Sequence, residues 1–549
     1  MTTRPDRIYL NGTVYLGGSR PTRSCAVAVT AGRISAVGPD VELRALAGPN
    51  TELVDLDGGL LSPGLRDSHI HAVFGGLSMR DCSMYDCVTA EQCLEVIAGY
   101  VSGHPAAAWV AGGGWNMDSF AGGHPTAEML DRVAGERPAY MLERGAHSAW
   151  VNSAALRLAG IGRSSADPAD GRIGRDADGE PDGMLYEGAM TLVSALMPRK
   201  TAAEYADGLL DAQRHLFSLG IVGWQDALVG AYGGYDDPFD VYDAADRAGT
   251  LVADVVGALW WDRERGLEQI DHLVAQRDRA YGRRFRATSV KLMLDGVVEA
   301  RTAAMVHPYR DACGHETPDR GLSFITRETL LDAVPLLDER GFQAHFHALG
   351  DRAVRDALDA IEAARRENGH TGVRHHIAHV QVIQPDDLPR FRTVDATANI
   401  QPLWGCALPD RDELVLPQLG DERRELQWLY GSLYESGARL TVGSDWNVSS
   451  PDPVLGMHIA VNRRPPTDLL GFDAPAFLPA EGLPLDAIWN AYTAGSAEIC
   501  GARDSGRVAV GMRADLVQFD RDPFLLDPAE IHTARIVRTV VGGADAHTA

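Results

Sequence analysis

The middle of the chain alternates between apolar segments of strand length and amphipathic segments of helix length, and this alternation constrains the fold more than any other feature. Helical spacing of Leu, Val, Ala and Ile is plainest in residues 201–219, 326–341 and 352–367. The expected strands are residues 65–71, 221–226, 252–259, 289–294, 343–347, 375–380, 396–401 and 440–444. Strands that alternate with helices form parallel sheets, and eight is the number of strands in a (β/α)8 barrel. The sequence therefore predicts an α/β fold with a (β/α)8 TIM barrel.

The two ends of the chain are expected to lie outside the barrel. Residues 7–61 contain short strand-like runs separated by turn signals, and the last fifty residues return to this pattern. We expect residues 1–62 and 500–549 to share one small β-sandwich domain, with the barrel in residues 63–499. Residues 77–199 separate the first two expected strands by far more than a normal crossover. We interpret them as a Gly-rich inserted lid that covers the barrel mouth.

Charge and cysteine usage limit the cell compartment and the partners. The chain has 51 Lys and Arg residues against 76 Asp and Glu residues, a net charge of −25, which disfavours nucleic acid and anionic membranes as partners. The N-terminal residues lack the apolar core of a signal peptide, and no later stretch has membrane-spanning length. Seven scattered cysteines without Cys-x-x-Cys spacing fit reduced thiols. We expect a cytoplasmic protein, and a homodimer remains open.

A pair of histidines, His69 and His71, comes at the end of the first expected strand, just after the Pro63-Gly64 turn signal. In an extended chain, residues two apart point to the same side. Two neutral imidazoles on one face suit a divalent metal such as zinc. A lone His-x-His pair is more often packing or surface than a ligand pair, so the other ligands must come from elsewhere in the chain.

Four further residues with ligand-type side chains lie in or at the C-terminal ends of later expected strands. They are Lys291, His347, His379 and Asp445. In a barrel these ends converge on the catalytic face. Each residue has a structural explanation when taken singly: a strand-end charge, two hydrogen-bonded core histidines and a helix cap. Their joint order is much harder to explain in that way, and it predicts a metal-dependent hydrolase.

At these motifs the chain resembles the amidohydrolase superfamily and, more narrowly, the family 3 amidohydrolases, which include N-substituted formamide deformylase-like and YtcJ-like proteins. The matching stretches span almost the whole chain. They are Pro63-Gly-Leu-Arg-Asp-Ser-His-Ile-His71, Ala111-Gly-Gly-Gly-Trp-Asn116, 291–296 with Arg301-Thr-Ala303, His347-Ala-Leu-Gly-Asp-Arg-Ala353, Gln401-Pro402, Gly443-Ser-Asp445, 493–497 and 511–516. The resemblance implies a distorted barrel, flanked by a β-sandwich built from both termini, with a site for one or two divalent ions, usually zinc.

The resemblance also implies roles for the individual residues. His69 and His71 would hold one metal, and His347 and His379 the other. Lys291 would bridge the two as its carboxylated form, because an unmodified ammonium group cannot ligate a cation.

Asp445 would complete the implied ligand set and act with Lys291 in catalysis. It would accept a proton from the metal-activated water and pass it to the leaving nitrogen.

Two nearby histidines are expected to have supporting positions. His345 should share the face of His347 one layer deeper, and His376 should face the opposite side of its strand from His379 and serve packing.

Substrate contacts are expected from segments that resemble family motifs. His147 is the preferred candidate, and Trp115, Glu187 and Trp224 lie in similar segments. Arg301 follows the fourth expected strand, where a loop could touch substrate. An aromatic and partly polar lid would suit a small organic substrate, although the tryptophans fit the protein core equally well.

We therefore predict a metal-dependent amidohydrolase that cleaves a non-peptide C–N bond, in an N-acyl or N-formyl amide of a small molecule. Two alternatives remain open at this stage. One is a deaminase or cyclic amidase, which would use the same barrel and metal on an amidine or a ring amide. The other is a catalytically silent protein that binds a small molecule on the same scaffold.

Overall fold

A sheet of eight parallel strands forms the centre of the molecule, and its spatial order follows the chain order. The computed structural model describes residues 4–18, 23–85, 87–120, 124–280, 282–311, 313–407, 415–467 and 474–549. The barrel strands, numbered first to eighth in the text below, are Leu65–Ile70, Ile221–Val229, Asp254–Trp260, Phe285–Met293, Gln343–Ala348, His376–His379, Thr397–Ile400 and Arg439–Val442. The first and eighth strands meet where the Ser68 hydroxyl donates to the Val442 carbonyl at 2.7 Å. The predicted distorted TIM barrel is confirmed.

Helices connect successive barrel strands, and their sequences explain where they begin. Thr201 starts the helix before the second strand with a capping box, in which its side chain accepts from Glu204 N and the Glu204 carboxylate accepts from Thr201 N. The helices of this part of the chain are Ala202–Ser218, Phe239–Ala248, Ile270–Arg279, Arg327–Glu339, Asp351–Asn368, Leu388–Thr393, Leu416–Leu419, Asp421–Arg424, Tyr430–Glu435, Pro453–Asn462, Leu485–Asn490 and Ser496–Ile499. They cover the outer face of the strands, whose side chains are almost all buried.

Strands from both termini form two further sheets. A four-stranded sheet has the order Arg33–Gly38, Ala26–Thr30, Arg7–Leu10 and Glu52–Asp55, with the short helix Asp40–Arg44 beside it. A six-stranded sheet has the order Ala544–Thr548, Ile536–Val541, Leu516–Phe519, Leu60–Pro63, Thr13–Val14 and Arg23–Ser24. Leu516 pairs with Pro63 in antiparallel register. The last strands of the chain are thus hydrogen-bonded to the strand that leads into the barrel.

A long insertion separates the first barrel strand from the second, as predicted. Its sheet has the order Gly171–Arg175, Pro181–Glu187, Ser148–Val151, Ala139–Glu143, Val110–Trp115 and Cys82–Ser83. Its helices are Ala72–Ser78, Ala90–Gly103, Ala127–Ala134, Ser153–Leu158 and Thr191–Ser194. Trp115, Phe120 and Trp150 pack edge to face with ring centroids 5.2–6.0 Å apart. The insertion therefore has an apolar core of its own.

A helix that crosses a membrane must be long and predominantly apolar. Within the described ranges, no helix combines sufficient length with sufficient apolar character to span a bilayer.

Candidate metal centre

All six predicted metal ligands lie at the C-terminal ends of barrel strands or directly after them. A single cavity is lined by five of them: His69, His71, Lys291, His347 and Asp445. The sixth, His379, is in ring contact with two of these, with centroid distances of 4.7 Å to His69 and 4.4 Å to His347. The fold thus brings together residues that are far apart in the sequence.

The approach of the eighth strand to the first depends on a glycine. A Cβ atom on Gly443 would lie 2.3 Å from the Cβ of His69, so no other residue fits there without displacing the histidine. Asp445 N then donates to the His69 carbonyl at 2.8 Å. Asp445 itself has a φ of +58°, which non-glycine residues rarely adopt. The backbone at this junction is arranged to place the carboxylate beside the histidine pair.

The tightest group in the site consists of His69, His379 and Asp445, whose candidate ligand atoms all lie within 4.8 Å of one another. His71 Nε2 is 3.0 Å from Asp445 Oδ1, and His69 Nε2 is 3.2 Å from the same oxygen. Two imidazoles therefore converge on one carboxylate oxygen.

Several ring nitrogens in the site are buried without a hydrogen-bond partner among the described residues. They are His347 Nε2, both nitrogens of His379, and His69 Nε2, which lies 3.2 Å from Asp445 Oδ1 but makes no hydrogen bond to it. Buried polar atoms without partners are rare and costly in folded proteins. Imidazole nitrogens and a carboxylate oxygen are the donors that divalent transition metals such as zinc prefer. The residues present fit a divalent metal.

Burial sets the protonation states that a metal ligand needs. Desolvation lowers the pKa of His69 and of His347 well below the ordinary value, and that of His379 to about 3, so all three rings are neutral at pH 7. Burial by itself would raise the pKa of Asp445, but the hydrogen bond from His71 and the nearby His379, His71 and Lys291 lower it below its usual value.

Lys291 is also affected by burial. Desolvation lowers its pKa to about 8, against the opposing attraction of Asp445 and Asp226. A substantial fraction of this lysine is therefore the neutral amine near pH 8. Only a neutral amine can react with carbon dioxide to form the carboxylated side chain, and this chemistry is open to Lys291.

Beneath the predicted ligands lies a second layer of polar side chains inside the barrel. His345 Nε2 is 2.8 Å from His69 Nδ1, as its position one layer below His347 predicts. The amide nitrogen of Gln225 is 3.2 Å from His345 Nδ1 and 3.3 Å from His376 Nε2. The contact between His345 and His69 occupies Nδ1 and leaves Nε2 directed toward Asp445.

The position expected for His376 was wrong. It lies inside the barrel, with its ring centroid 4.0 Å from that of His345 and its Nδ1 3.1 Å from the amide nitrogen of Asn399. Simple alternation would place His376 and His379 on opposite faces. His379 has a φ of +78°, outside the extended region, so the alternation ends before it and both rings point inward.

The cavity beside these residues is largely apolar and aromatic. Phe74 stacks on His71 and Tyr235 stacks on Phe74, with centroid distances of 6.4 Å and 4.7 Å. The rest of the lining consists of Leu142, Gly145, Ala146, His147, Leu228, Tyr232, Gly233, Met293, Asn447 and Val448. Such a surface suits an uncharged organic group beside the polar centre.

Two of the five predicted substrate-binding residues lie at the cavity. His147 lines it, and Glu187 is hydrogen-bonded to His147. His147 Nδ1 is 2.9 Å and 3.1 Å from the two carboxylate oxygens of Glu187. Burial alone would lower the pKa of His147, but the attraction of Glu187 and the hydrogen bond to it raise the pKa above its ordinary value. His147 and Glu187 thus form a buried, hydrogen-bonded pair beside the predicted metal ligands.

The structure does not bring the other three to the lining of this cavity. Trp115 is fully buried in the core of the insertion, where its indole donates to the Met141 carbonyl. Trp224 is fully buried between barrel and helix, and donates to the Tyr242 hydroxyl. Arg301, on the loop after the fourth strand, donates to the Arg310 carbonyl and to Gln418 Oε1 in the helix Leu416–Leu419. Both tryptophans therefore pack in the protein core, which is the alternative that the sequence also allowed.

Sequence reasoning missed several residues around the site. Gln225 and Asn399 interrupt apolar strands with an amide, and a polar residue in the middle of a buried strand was the available signal. Phe74, Tyr232 and Tyr235 carried no such signal, because an aromatic side chain that lines a cavity has the same sequence pattern as one that packs in a core.

Comparison with known proteins gives a consistent result over the length of the chain. The sequence model of the amidohydrolase family matches residues 52–545. The chain is 29% identical over 540 residues to the YtcJ protein of Bacillus subtilis (strain 168), covering 98% of each chain. It is 27% identical over 569 residues to the N-substituted formamide deformylase of Arthrobacter pascens, covering 99% of this chain and 98% of the relative. The solved structure of an uncharacterized metal-dependent hydrolase from Pyrococcus horikoshii OT3 superposes with a TM-score of 0.72 at 23% identity, covering 95% of this chain and 99% of that one.

Proposed function

Because the chain belongs to the amidohydrolase family, whose members are metal-dependent hydrolases, we propose that it hydrolyses a non-peptide C–N bond in a small-molecule amide. The amide is of the N-acyl or N-formyl class. The reaction uses a water molecule, a divalent metal, and Asp445 as the base.

The observation that carries this proposal is the convergence of His69, His379 and Asp445 within 4.8 Å, at a cavity mouth that several barrel strands share. A buried carboxylate among neutral imidazoles is costly unless something compensates its charge. A divalent cation would compensate it and would also satisfy the unpartnered ring nitrogens. A protein that only binds small molecules has no need of this combination.

The residues that would hold metal are His69, His71, Lys291, His347, His379 and Asp445. When bound there, a divalent ion such as zinc supplies an activated water at neutral pH and polarises a carbonyl group. Every other step belongs to the side chains of the chain itself.

Asp445 performs the proton transfers. With its pKa held below the usual range it is a carboxylate, and it accepts a proton as water attacks the carbonyl carbon. His71 Nε2 lies 3.0 Å from Asp445 Oδ1, so the carboxylate adjoins the residues that would hold the metal. When the C–N bond breaks, Asp445 returns the proton to the leaving nitrogen, so that the amine departs neutral.

The substrate class is supported by the cavity and by one relative. Phe74, Leu142, Tyr235, Met293 and Val448 line the cavity and offer apolar contact to an organic substituent on the amide nitrogen. The relative from Arthrobacter pascens is an N-substituted formamide deformylase, which is consistent with an N-formyl substrate for this chain.

The first test is the metal content of protein purified without chelator, measured by mass spectrometry for wild type and for the His69→Ala and His379→Ala variants. We expect close to one or two equivalents of a divalent metal in wild type, and loss of most of it in both variants. A wild-type protein that carries no metal and cannot be reloaded would overturn the hydrolase proposal and favour a silent binding protein.

The second test is a panel of N-formyl and N-acyl amides, assayed for the released acid and amine. We expect release of formate or another carboxylate in equal amount with an amine. Ammonia released from an amidine would instead indicate a deaminase. Ring opening that yields a single product would indicate a cyclic amidase.

A further inference from the structure

The insertion contributes one ionisable side chain to the described lining of the cavity, and this side chain is His147. The ring of His147 lies 5.3 Å from that of His347, measured between centroids. His147 therefore adjoins the fifth-strand side of the site, whereas Asp445 contacts the histidines of the first strand. His147 and Asp445 thus line the same cavity.

A chain of buried hydrogen bonds holds His147 in place. Its Nδ1 lies 2.9 Å and 3.1 Å from the oxygens of Glu187, whose side chain is fully buried. The Thr302 hydroxyl donates to Glu187 Oε1 at 2.8 Å, and Val297 N donates to Thr302 Oγ1 at 2.9 Å. A carboxylate only accepts, so the hydrogen between Glu187 and His147 is on Nδ1. This leaves Nε2 on the cavity side of the ring.

The backbone around this chain of contacts is strained at three places. Ala146, Glu187 and Arg301 have φ values of +60°, +51° and +58°, in the left-handed region that non-glycine residues seldom occupy. A Cβ on Gly296 would lie 2.1 Å from Thr302 Oγ1 and 2.3 Å from Glu187 Oε1. Strain of this kind persists where the surroundings enforce it and is concentrated at functional sites. The insertion and the loop after the fourth strand are thus fitted together at the residues that orient His147.

The charge of Glu187 determines what His147 can do. Thr302 is neutral, and among the contacts described for Glu187 the basic one is His147. A fully buried carboxylate is stable when a cation pairs with it. An imidazolium at His147 would supply that cation and would carry a second hydrogen on Nε2. An imidazolium has no free lone pair, so it donates hydrogen bonds and does not coordinate a metal.

We propose that His147 is a catalytic residue whose Nε2 donates a hydrogen bond to the oxygen of the scissile carbonyl group, with Glu187 and Thr302 as positioning residues that act through it. This inference rests on the proposed amide hydrolysis.

The proposed hydrogen bond strengthens as the reaction proceeds. As the water oxygen bonds to the carbonyl carbon, the electron pair of the C–O π bond moves onto the carbonyl oxygen and a water proton moves to Asp445. His147 stabilises the negative charge formed there. When the oxygen pair re-forms the double bond, the C–N bond breaks, and the nitrogen keeps its electron pair and takes the proton from Asp445.

The test compares single and double variants, each loaded with metal, on an N-formyl amide that wild type hydrolyses. We expect His147→Phe to lower kcat by about a hundredfold, as the loss of one oxyanion donor typically does, with little change in KM and no change in metal content. Glu187→Gln and Thr302→Val should lower kcat by smaller factors. Because both act through His147, neither should lower kcat further in the His147→Phe background. Thr317→Val, which removes a hydroxyl that donates to the Tyr309 carbonyl and accepts from Asp319 N on the same loop, is the matched control.

Three outcomes would overturn the inference. The first is loss of metal from His147→Phe, and the second is an unchanged kcat in that variant. The third is that Glu187→Gln and Thr302→Val lower kcat in the His147→Phe background by the same factors as in wild type. If wild type hydrolyses none of the amides, the proposed function fails first. Calorimetric binding of acetohydroxamate, which presents a carbonyl oxygen to a metal, then decides the role of His147. If His147→Phe weakens acetohydroxamate binding about tenfold and Thr317→Val does not, the role of His147 as a hydrogen-bond donor is supported. Equal binding by wild type and His147→Phe refutes that role.

Discussion

The two ends of the barrel bury charged side chains in opposite ways. At the base, Arg66 Nη1 on the first strand lies 3.1 Å from Asp254 Oδ2 at the start of the third. Arg286 Nη2 is 3.3 Å from Asp254, and Arg513 Nη2 is 2.5 Å from Asp515, which adjoins the terminal sheet. Every charge in this group faces an opposite charge, and the group joins the barrel to the C-terminal strands.

At the mouth, the charged and polar groups outnumber their partners. Both nitrogens of His379 and one nitrogen each of His69 and His347 are buried without a hydrogen bond in the part of the chain that the structure describes. His379 and Asp445 also have positive φ values. In the described part of the chain the base also has buried nitrogens without a hydrogen bond, on Arg66 and Arg513, but they belong to guanidinium groups that face carboxylates. The ring nitrogens at the mouth instead have the chemistry of metal ligands. In barrel enzymes generally, residues at the base contribute stability and residues at the mouth perform chemistry. Mutations at the mouth should therefore mainly lower kcat, and mutations at the base should mainly lower the free energy of unfolding.

The largest expected effect comes from Asp445→Asn. The substitution keeps the shape but removes the proton acceptor, so kcat on an amide substrate should fall by about a thousandfold. Because the pKa of Asp445 is below its usual value, the folded protein favours the carboxylate, and removing its charge should slightly lower the thermal stability of the metal-free protein at pH 7. Steady-state kinetics on metal-loaded protein and a melting curve measure the two effects. Retention of full turnover would contradict the role given to Asp445.

The complementary change at the base is Asp254→Asn. It leaves Arg66, whose side chain is fully buried, without its nearest carboxylate, and it should cost about 3 kcal/mol of unfolding free energy, as broken buried ion pairs do. The kcat of the folded fraction should stay at the wild-type value. Urea unfolding followed by tryptophan fluorescence, together with kinetics at low temperature, separates the two readouts. A fall in kcat without a loss of stability would reverse the assignment of the two ends.

The pH dependence of stability should also differ between the ends. The pKa of Lys291 is lowered from 10.5 to about 8, so the folded metal-free protein disfavours the ammonium form. The destabilisation is complete below pH 8, at about 3 kcal/mol, and it disappears as the pH rises from 8 to 10.5. The pKa of Asp254 is lowered instead, by its arginines acting against burial. Its contribution is present above pH 4 and lost as the pH falls through its folded pKa.

The Lys291 effect can be isolated by comparison with Lys291→Met. In metal-free buffer depleted of carbon dioxide, wild type should gain stability relative to the variant between pH 8 and pH 10.5. A constant difference over that window would mean that Lys291 titrates normally. Asp254→Asn, compared with wild type between pH 5 and pH 2, gives the corresponding measurement for the base.

Much of the mouth could be predicted from the sequence, and little of the base. Residues such as His69 and Asp445 lie at the C-terminal ends of expected strands, and a barrel brings all of these strand ends together on one face. The pairing of Arg66 with Asp254 depends on which side chains meet across the barrel and has no local signal. The inward position of His376 depends on the positive φ of His379, which alternation cannot foresee. The bond between Glu187 and Thr302 depends on how the insertion sits on the barrel.

The smallest expected effect concerns the polar layer just below the mouth. His345 contacts His69 at 2.8 Å, whereas His376, equally buried in the same layer, contacts His345, Gln225 and Asn399. Replacing a group that orients a metal-ligating imidazole typically costs ten- to a hundredfold in metal affinity. We therefore expect His345→Leu to weaken metal binding about tenfold in a competition titration with a chelator, and His376→Leu to weaken it much less. Equal losses in the two variants would mean that the layer supports the mouth through packing alone, and that His345 does not orient His69.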